Sequence, residues 1–135
     1  MNPILRNSLA VITGAVIGSI VNMALVNAGP MVFPPPEGAD ITTLEGLKAT
    51  MHLFQPLNFL FPWLAHAIGT LVGAFLVAKI AGTHQRALAL LVGALFMVGG
   101  IMNVIMLPSP LWFTLADLVL AYLPMAWFGA KLANR

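Results

Sequence analysis

The chain has 135 residues, of which 60% are hydrophobic and only 7% are charged, and its mean hydropathy is +0.96. Soluble domains carry about 25% charged residues, so this composition excludes an ordinary water-facing surface and predicts an integral membrane protein. Six basic and four acidic side chains are too few for a nucleic-acid-binding face. The absence of cysteine excludes disulfides and thiolate sites.

Four apolar segments are long enough to cross a bilayer, since about 20 helical residues span about 30 Å of hydrocarbon. Uninterrupted apolar runs lack the alternation of a membrane β-barrel, so each segment is predicted to be a helix. The predicted fold is therefore an all-α integral membrane protein, a single transmembrane domain of four helices. The segments are residues 8–27, 57–80, 86–107 and 111–130, and residues 28–56 form an outer loop.

Proline and tryptophan add local predictions to the spans. Pro124 has no backbone N–H, so the carbonyl of Leu120 loses its helical partner and we expect a kink in the fourth span. Tryptophans are enriched at both faces of a membrane. We therefore expect interfacial positions for Trp63, Trp112 and Trp127.

The basic residues predict the orientation of the chain. Five of the six lie on one side of a four-span topology, and only Lys48 lies on the other. Because basic residues next to short loops stay on the cytoplasmic side, we expect both termini to be cytoplasmic. The expected location is a bacterial-type inner (plasma) membrane. The five residues are Arg6, Lys79, Arg86, Lys131 and Arg135.

The outer loop has its own pattern. Three prolines at 34–36 and the following Gly38 predict an extended segment and a turn. Thr42 and Glu45 have the spacing of a capping box, and apolar residues then recur at helical spacing. We expect a short outer amphipathic helix, which either covers the helix ends or acts as a lid over an outward-facing cavity. Its apolar stripe consists of Leu44, Leu47, Met51 and Phe54.

The first and third spans share a short self-match. Residues 18–26 align without a gap on residues 99–107 and place Asn22 over Asn103, and a weaker match places His66 over Asp117. A genuine internal repeat would make the protein two tandem helical hairpins of the same orientation. Chance similarity in apolar sequence is the competing explanation.

Asp117 is the only acidic residue inside a predicted span, and its burial costs several kcal/mol unless it is paired, hydrated or protonated. His66 is its expected partner. The resulting polar layer either fixes which helices meet or takes up and releases a proton or cation. The other candidate members of the layer are Asn22, Asn103, Thr70 and Tyr122.

Small residues predict where the helices touch. Asn22, His66 and Asn103 each share a helix face with glycines, which let membrane helices approach closely. The polar groups are therefore expected to face protein rather than lipid. The predicted helix-packing residues are Gly14, Gly18, Gly69, Gly73, Gly99 and Gly100.

No metal site or cofactor is predicted, because His52, His66 and His84 fall in the loop, a span and a turn and lack the spacing of a metal pair. Phosphate loops, dinucleotide fingerprints and nucleophile elbows are also absent. The leading hypothesis is a transporter or channel for a proton, an ion or a small solute, acting in the lipid bilayer as a homo-oligomer. The alternative is an accessory or scaffold subunit for other proteins, and a membrane-embedded enzyme acting on a lipid or quinone comes third.

Overall fold

The computed structural model describes all 135 residues and contains six α-helices and no β-strand. As the composition predicts, four helical segments are long and apolar enough to cross a membrane. Helices α5 and α6 together form the fourth of these segments. In chain order the helices are α1 (Pro3–Val32), α2 (Leu44–Thr50), α3 (Leu60–Ile80), α4 (Gln85–Met106), α5 (Leu111–Leu120) and α6 (Leu123–Ala133).

Helix α1 extends beyond the predicted range 8–27 at both ends. At its start, the side chain of Asn2 caps the first turn, as asparagine commonly does. At its end the helix continues through Pro30, and the N–H of Phe33 then donates to the carbonyl of Gly29 at 2.8 Å. A proline removes one helical hydrogen bond, but here it does not end the helix.

The kink predicted at Pro124 is a complete break in the helix. Because Pro124 has no N–H, the carbonyl of Leu120 lacks its usual partner. Ala121 keeps helical dihedral angles and donates its N–H to the carbonyl of Asp117 at 3.0 Å, but Tyr122 leaves helical geometry, and α6 begins at the next residue. The break therefore divides the fourth segment into two helices. The regular rotation of a helix does not relate the side chains of one to those of the other.

Helix α3 is the centre of the bundle and packs on α1, α4 and α6. Alanine and glycine build most of the interior, including a cluster of six buried alanines. Helix α1 approaches α3 so closely that a Cβ on Gly14 would lie 2.6 Å from the carbonyl oxygen of Gly73, and one on Gly18 would lie 2.7 Å from that of Gly69. Small residues permit this approach of two backbones.

The outward faces of the long helices are apolar. Large side chains point away from the protein along both α1 and α4. An apolar surface of this extent exceeds that of soluble monomers and suits contact with lipid. Examples are Ile12, Val16, Ile20, Leu91, Val98 and Ile105, all of which are exposed.

Polar contacts join the start of α1 to the turn between α3 and α4. The guanidinium Nε of Arg6 donates to the carbonyl of Ile80 at 2.6 Å. The side chain of Asn7 donates to Thr83 Oγ1 at 2.8 Å and accepts from the N–H of Gly82 at 2.9 Å. We name this end of the bundle the basic end, and the opposite end, with the connection between α1 and α3, the loop end.

The fold does not establish the two-hairpin repeat. Helix α3 contacts α1, α4, α5 and α6, whereas α1 packs mainly on α3 and touches α4 only sparsely. The break at Ala121 and Tyr122 also has no counterpart inside α3. The repeat stays a prediction.

The connection between α1 and α3 contains the predicted turn and short helix. Gly38 has a φ of 86°, a conformation that favours glycine. Helix α2 begins one residue later than the predicted capping box requires, because Thr43 caps it by accepting from the N–H of Gly46 at 2.9 Å. The proposed box between Thr42 and Glu45 is therefore wrong.

The side chain of Asp40 accounts for this shift in register. The N–H and the hydroxyl of Thr42 both donate to Asp40 Oδ1, at 2.9 and 2.5 Å. Such local side-chain bonds compete with helix capping. They also lower the pKa of Asp40, mainly through the hydroxyl of Thr42 and then through its backbone N–H.

Substitution of Thr42 by valine should raise the pKa of Asp40 toward its ordinary value of 3.8, because the hydroxyl donor is lost. A lowered pKa in the folded protein stabilises the connection at neutral pH, and this stabilisation is lost as the pH falls through that pKa. An NMR titration of the Asp40 carboxyl carbon measures the change. Thr114→Val, on α5, is the matched control, and an equal midpoint in the two variants would contradict the assignment.

Candidate functional site

The carboxylate of Asp117 lies at the centre of a buried polar cluster. Asp117, on α5, is 2% exposed, and its Oδ1 lies 2.6 Å from Nδ1 of His66 on α3. The hydroxyl of Tyr122 donates to its Oδ2 at 3.0 Å. The rings of His66 and Tyr122 stack with their centroids 5.7 Å apart. The structure thus brings three of the six polar candidates into direct contact.

The break between α5 and α6 makes the Tyr122 contact geometrically possible. In a continuous helix, five residues correspond to a rotation of about 140° beyond one full turn, so Tyr122 and Asp117 would point in different directions. Because the chain leaves helical geometry at Tyr122, its hydroxyl reaches the carboxylate. The proline that interrupts the fourth segment therefore also completes the polar cluster.

Trp63 holds α3 against α5 beside this cluster. Its Nε1–H donates to the carbonyl of Ala116 at 3.1 Å, and its ring packs with buried residues at the loop end. The indole N–H of Trp63 thus has a protein partner, and its expected position at a membrane interface stays a prediction. Trp112 and Trp127 remain exposed.

A polar chamber of about 290 Å³ lies between α1, α3 and α4. The Thr70 hydroxyl is fully buried there and has no hydrogen-bond partner. The side-chain amides of Asn22 and Asn103 also line the chamber, and neither is hydrogen-bonded to another residue. Unpaired polar groups are costly away from water, so these three side chains are available to a bound polar molecule.

A second cavity of about 630 Å³, here named the vestibule, lies at the loop end. It shares His66, Gly100 and Asn103 with the chamber, so the two cavities meet at these residues. Asp117 lines the vestibule and not the chamber. Its apolar walls include five aromatic rings, those of Phe33, Phe54, Phe59, Phe61 and Phe113.

The apolar stripe of the α2 region faces the vestibule. Its four residues, which the sequence predicts to share one face, all line this cavity. Glu45, Lys48 and His52 are exposed. The short helix therefore lies over the cavity with its charged side outward. The stripe consists of Leu44, Leu47, Met51 and Phe54.

Apolar packing closes the chamber toward the basic end. Ala10, Val77, Ala81 and Val92 form a buried cluster. Phe96 packs against this cluster and also lines the chamber. The polar groups are consequently separated from the basic end by close-packed side chains.

The predicted packing glycines do not all behave alike. Gly14, Gly18, Gly69 and Gly73 form the α1–α3 contact described above, and a Cβ on Gly100 would meet the Tyr122 ring. Gly99 is exposed, with nothing within 4 Å of such a Cβ. The helix-packing role predicted for Gly99 is therefore not found within one chain.

Gly93 and Gly129 are also packing glycines, and they are not among those predicted from the sequence. A Cβ on Gly93 would lie 3.5 Å from the carbonyl oxygen of Tyr122, and one on Gly129 would lie 3.0 Å from the backbone nitrogen of Phe75. Each has an alanine four positions away, which is the small-residue spacing of membrane helix contacts. That spacing is the signal that would have identified them.

The three histidines occupy three different places. His52 and His84 are exposed, whereas His66 is half-buried in the bundle. No group of three or more histidine, aspartate or glutamate side chains is close enough to hold a metal ion. The Nδ1 of His66 faces a carboxylate, which accepts hydrogen bonds, so the ring proton belongs on Nδ1.

The second ring nitrogen gives His66 its chemical versatility. When the imidazole is neutral, Nε2 accepts a hydrogen bond, and when the ring is charged, Nε2 donates one. The pair with Asp117 can therefore exchange a proton at Nε2 without moving the carboxylate.

No protein-family model matches the chain, and no curated protein or solved structure is significantly similar to it.

Proposed function

We propose that the chain is a multi-pass membrane protein that moves a proton, an ion or a small solute across the bilayer at the His66–Asp117–Tyr122 cluster. One observation carries the proposal: the His66–Asp117 pair lies where an aromatic vestibule meets a polar chamber. Ionisable residues within membrane helices commonly mark proton relays or substrate pathways. The proposal assigns proton exchange to His66 and its support to Asp117 and Tyr122.

The proposed orientation places the basic end in the cytoplasm. Arg6 is bound to the turn between α3 and α4, and the other basic anchors flank the same helix ends. The positive-inside tendency then puts the vestibule on the outer side of a plasma membrane. The apolar faces of α1 and α4 support contact with lipid.

The proposed cycle starts from the arrangement in the structure, with the polar groups reached from the loop end. Release of the transported species on the other side requires the cluster around Val77 and Val92 to separate, because this cluster closes the chamber toward the basic end.

The proposal includes a homo-oligomer. Helices α1 and α4 leave Ser19 and Gly99 exposed beside the chamber, and a second copy would cover this opening.

Proton flux into proteoliposomes that contain a pH-sensitive dye tests the proposal. Asp117→Asn keeps the shape of the side chain but removes the charge that supports proton exchange at His66, and we expect the flux to fall about 100-fold or more. Glu45→Gln removes an exposed charge outside the cluster and is the matched control. Light scattering should show the same particle size for all three proteins, and unchanged flux in Asp117→Asn would remove the residue from the mechanism.

A scaffold subunit is the second candidate, and the pairing of Asp117 favours it. Both carboxylate oxygens have partners, and Trp63 adds a third bond between α3 and α5. A satisfied network of this kind also specifies which helices meet. In that case the native protein shows no flux, a partner protein co-purifies with it, and Asp117→Asn weakens the complex.

A further inference from the structure

The vestibule has the properties of a ligand pocket rather than of a packing defect. Pockets for small molecules have volumes of about 300 to 1,000 Å³ and combine mainly apolar walls with a few converging polar groups. The vestibule, at about 630 Å³, has five phenylalanines in its walls, and His66, Asn103 and Asp117 also line it. An apolar molecule of moderate size with one polar end matches this distribution.

The chamber supplies the polar end of the pocket. Thr70, Asn22 and Asn103 line it, and the buried hydroxyl of Thr70 has no partner. An amide and a hydroxyl can each both donate and accept a hydrogen bond. A head group with its own donors and acceptors, such as a hydroxyl or an amide, would satisfy all three side chains at once.

The charges around both cavities favour a neutral head group over an ionic one. None of the six basic residues lines the chamber or the vestibule, so an anionic head would have no cation to pair with. A cationic head would find only Asp117, whose two oxygens already bind His66 and Tyr122. Burial of an unpaired charge is strongly unfavourable.

We propose that the vestibule and the chamber together bind a neutral amphiphile. Its apolar body lies among the phenylalanines, and its uncharged hydrogen-bonding head lies in the chamber. The proposal names the substrate class of the site described above and rests on the proposed function for the step across the membrane. The amphiphile comes either from the bilayer, through the opening beside Ser19 and Gly99, or from the outer solution, beneath α2.

Photo-crosslinking in phosphatidylcholine proteoliposomes tests the binding step directly. Three diazirine probes share one alkyl chain and end in glycerol, carboxylate or trimethylammonium. We expect the alkylglycerol to label peptides that contain Phe59 or Phe113, and excess unlabelled alkylglycerol to compete. The charged probes should label these peptides at least about tenfold less. A tenfold difference in affinity corresponds to about 1.4 kcal/mol.

Two variants identify the head-group site. Thr70→Val removes the unpartnered hydroxyl at nearly constant shape, so it should preserve the melting temperature while labelling falls severalfold. Asn103→Leu should reduce labelling further. Thr114→Val lies outside both cavities and serves as the matched control. Equal vestibule labelling by all three probes, or labelling that does not saturate, would overturn the proposal.

The same preparation separates this proposal from the proposed function. Thr114→Val, which lies outside both cavities, should keep both proton flux and saturable labelling. Proton flux without saturable labelling in the native protein would refute amphiphile binding alone, whereas saturable labelling without proton flux would refute proton transport alone. The probe is supplied either within the vesicle lipid or from outside on a cyclodextrin carrier. The route that gives faster labelling identifies the source of the amphiphile.

Discussion

Replacement of His66 by leucine should lower the free energy of unfolding by about 3 to 5 kcal/mol, the usual cost when one partner of a buried charged pair is removed. Asp117 is 2% exposed, and without His66 only the hydroxyl of Tyr122 remains to bind it. The carboxylate then loses its closest contact but stays away from water. Unfolding by denaturant in detergent micelles measures the loss.

A second substitution distinguishes this cause from simple disruption of the core. Asp117→Leu in the His66→Leu background removes the stranded carboxylate, so most of the lost stability should return. The coupling between the two sites, obtained from the double-mutant cycle, should therefore be large. His52→Leu, at an exposed position, is the control and should change the stability by less than about 0.5 kcal/mol. A double variant no more stable than His66→Leu would refute the pairing argument.

Gly14→Ala should destabilise the protein by about 1 to 3 kcal/mol through overpacking. The added Cβ would lie 2.6 Å from the carbonyl oxygen of Gly73, and a backbone atom cannot rotate away as a flexible side chain can. Alanine alone favours a helix over glycine by about 1 kcal/mol. The measured loss of stability equals the steric cost minus this gain in helix propensity, so the steric cost itself is larger than the measured loss.

Gly99→Ala is the matched control for this prediction. Nothing lies within 4 Å of a Cβ at Gly99, so the substitution should have no steric cost within one chain. The variant should equal the native protein or exceed its stability by up to about 1 kcal/mol. Equal melting temperatures for Gly14→Ala and Gly99→Ala would show that the α1–α3 contact is looser than the structure has it.

The sequence predicts the long helices and part of the polar cluster for identifiable reasons. Composition and segment length require four apolar helices, and an isolated acid in one of them calls for a buried partner, for which the histidine of another span, His66, is the natural candidate. The direction of Tyr122 could not be predicted, because it depends on how the chain leaves the helix before Pro124. Asn22 and Asn103 both reach the chamber, although the repeat that singled them out is not established.

The aromatic lining of the vestibule could not be predicted from the sequence for a different physical cause. Its aromatic walls come from residues far apart in the chain, such as Phe33 and Phe113, and no periodicity connects them. The exact start of α2 was missed because Asp40 competes for Thr42. Local patterns predict elements, whereas these features arise from contacts between elements.

The close contact between α1 and α3 also determines which parts of the molecule can move. Each step of four residues up α1, from Gly14 to Gly18, is matched by a step of four down α3, from Gly73 to Gly69. Interlocked backbones resist sliding by less than a full helical turn of about 5.4 Å. We therefore expect helices α1 and α3 to move together, and the opening of the basic end in the proposed cycle to come from movement of α4, α5 and α6.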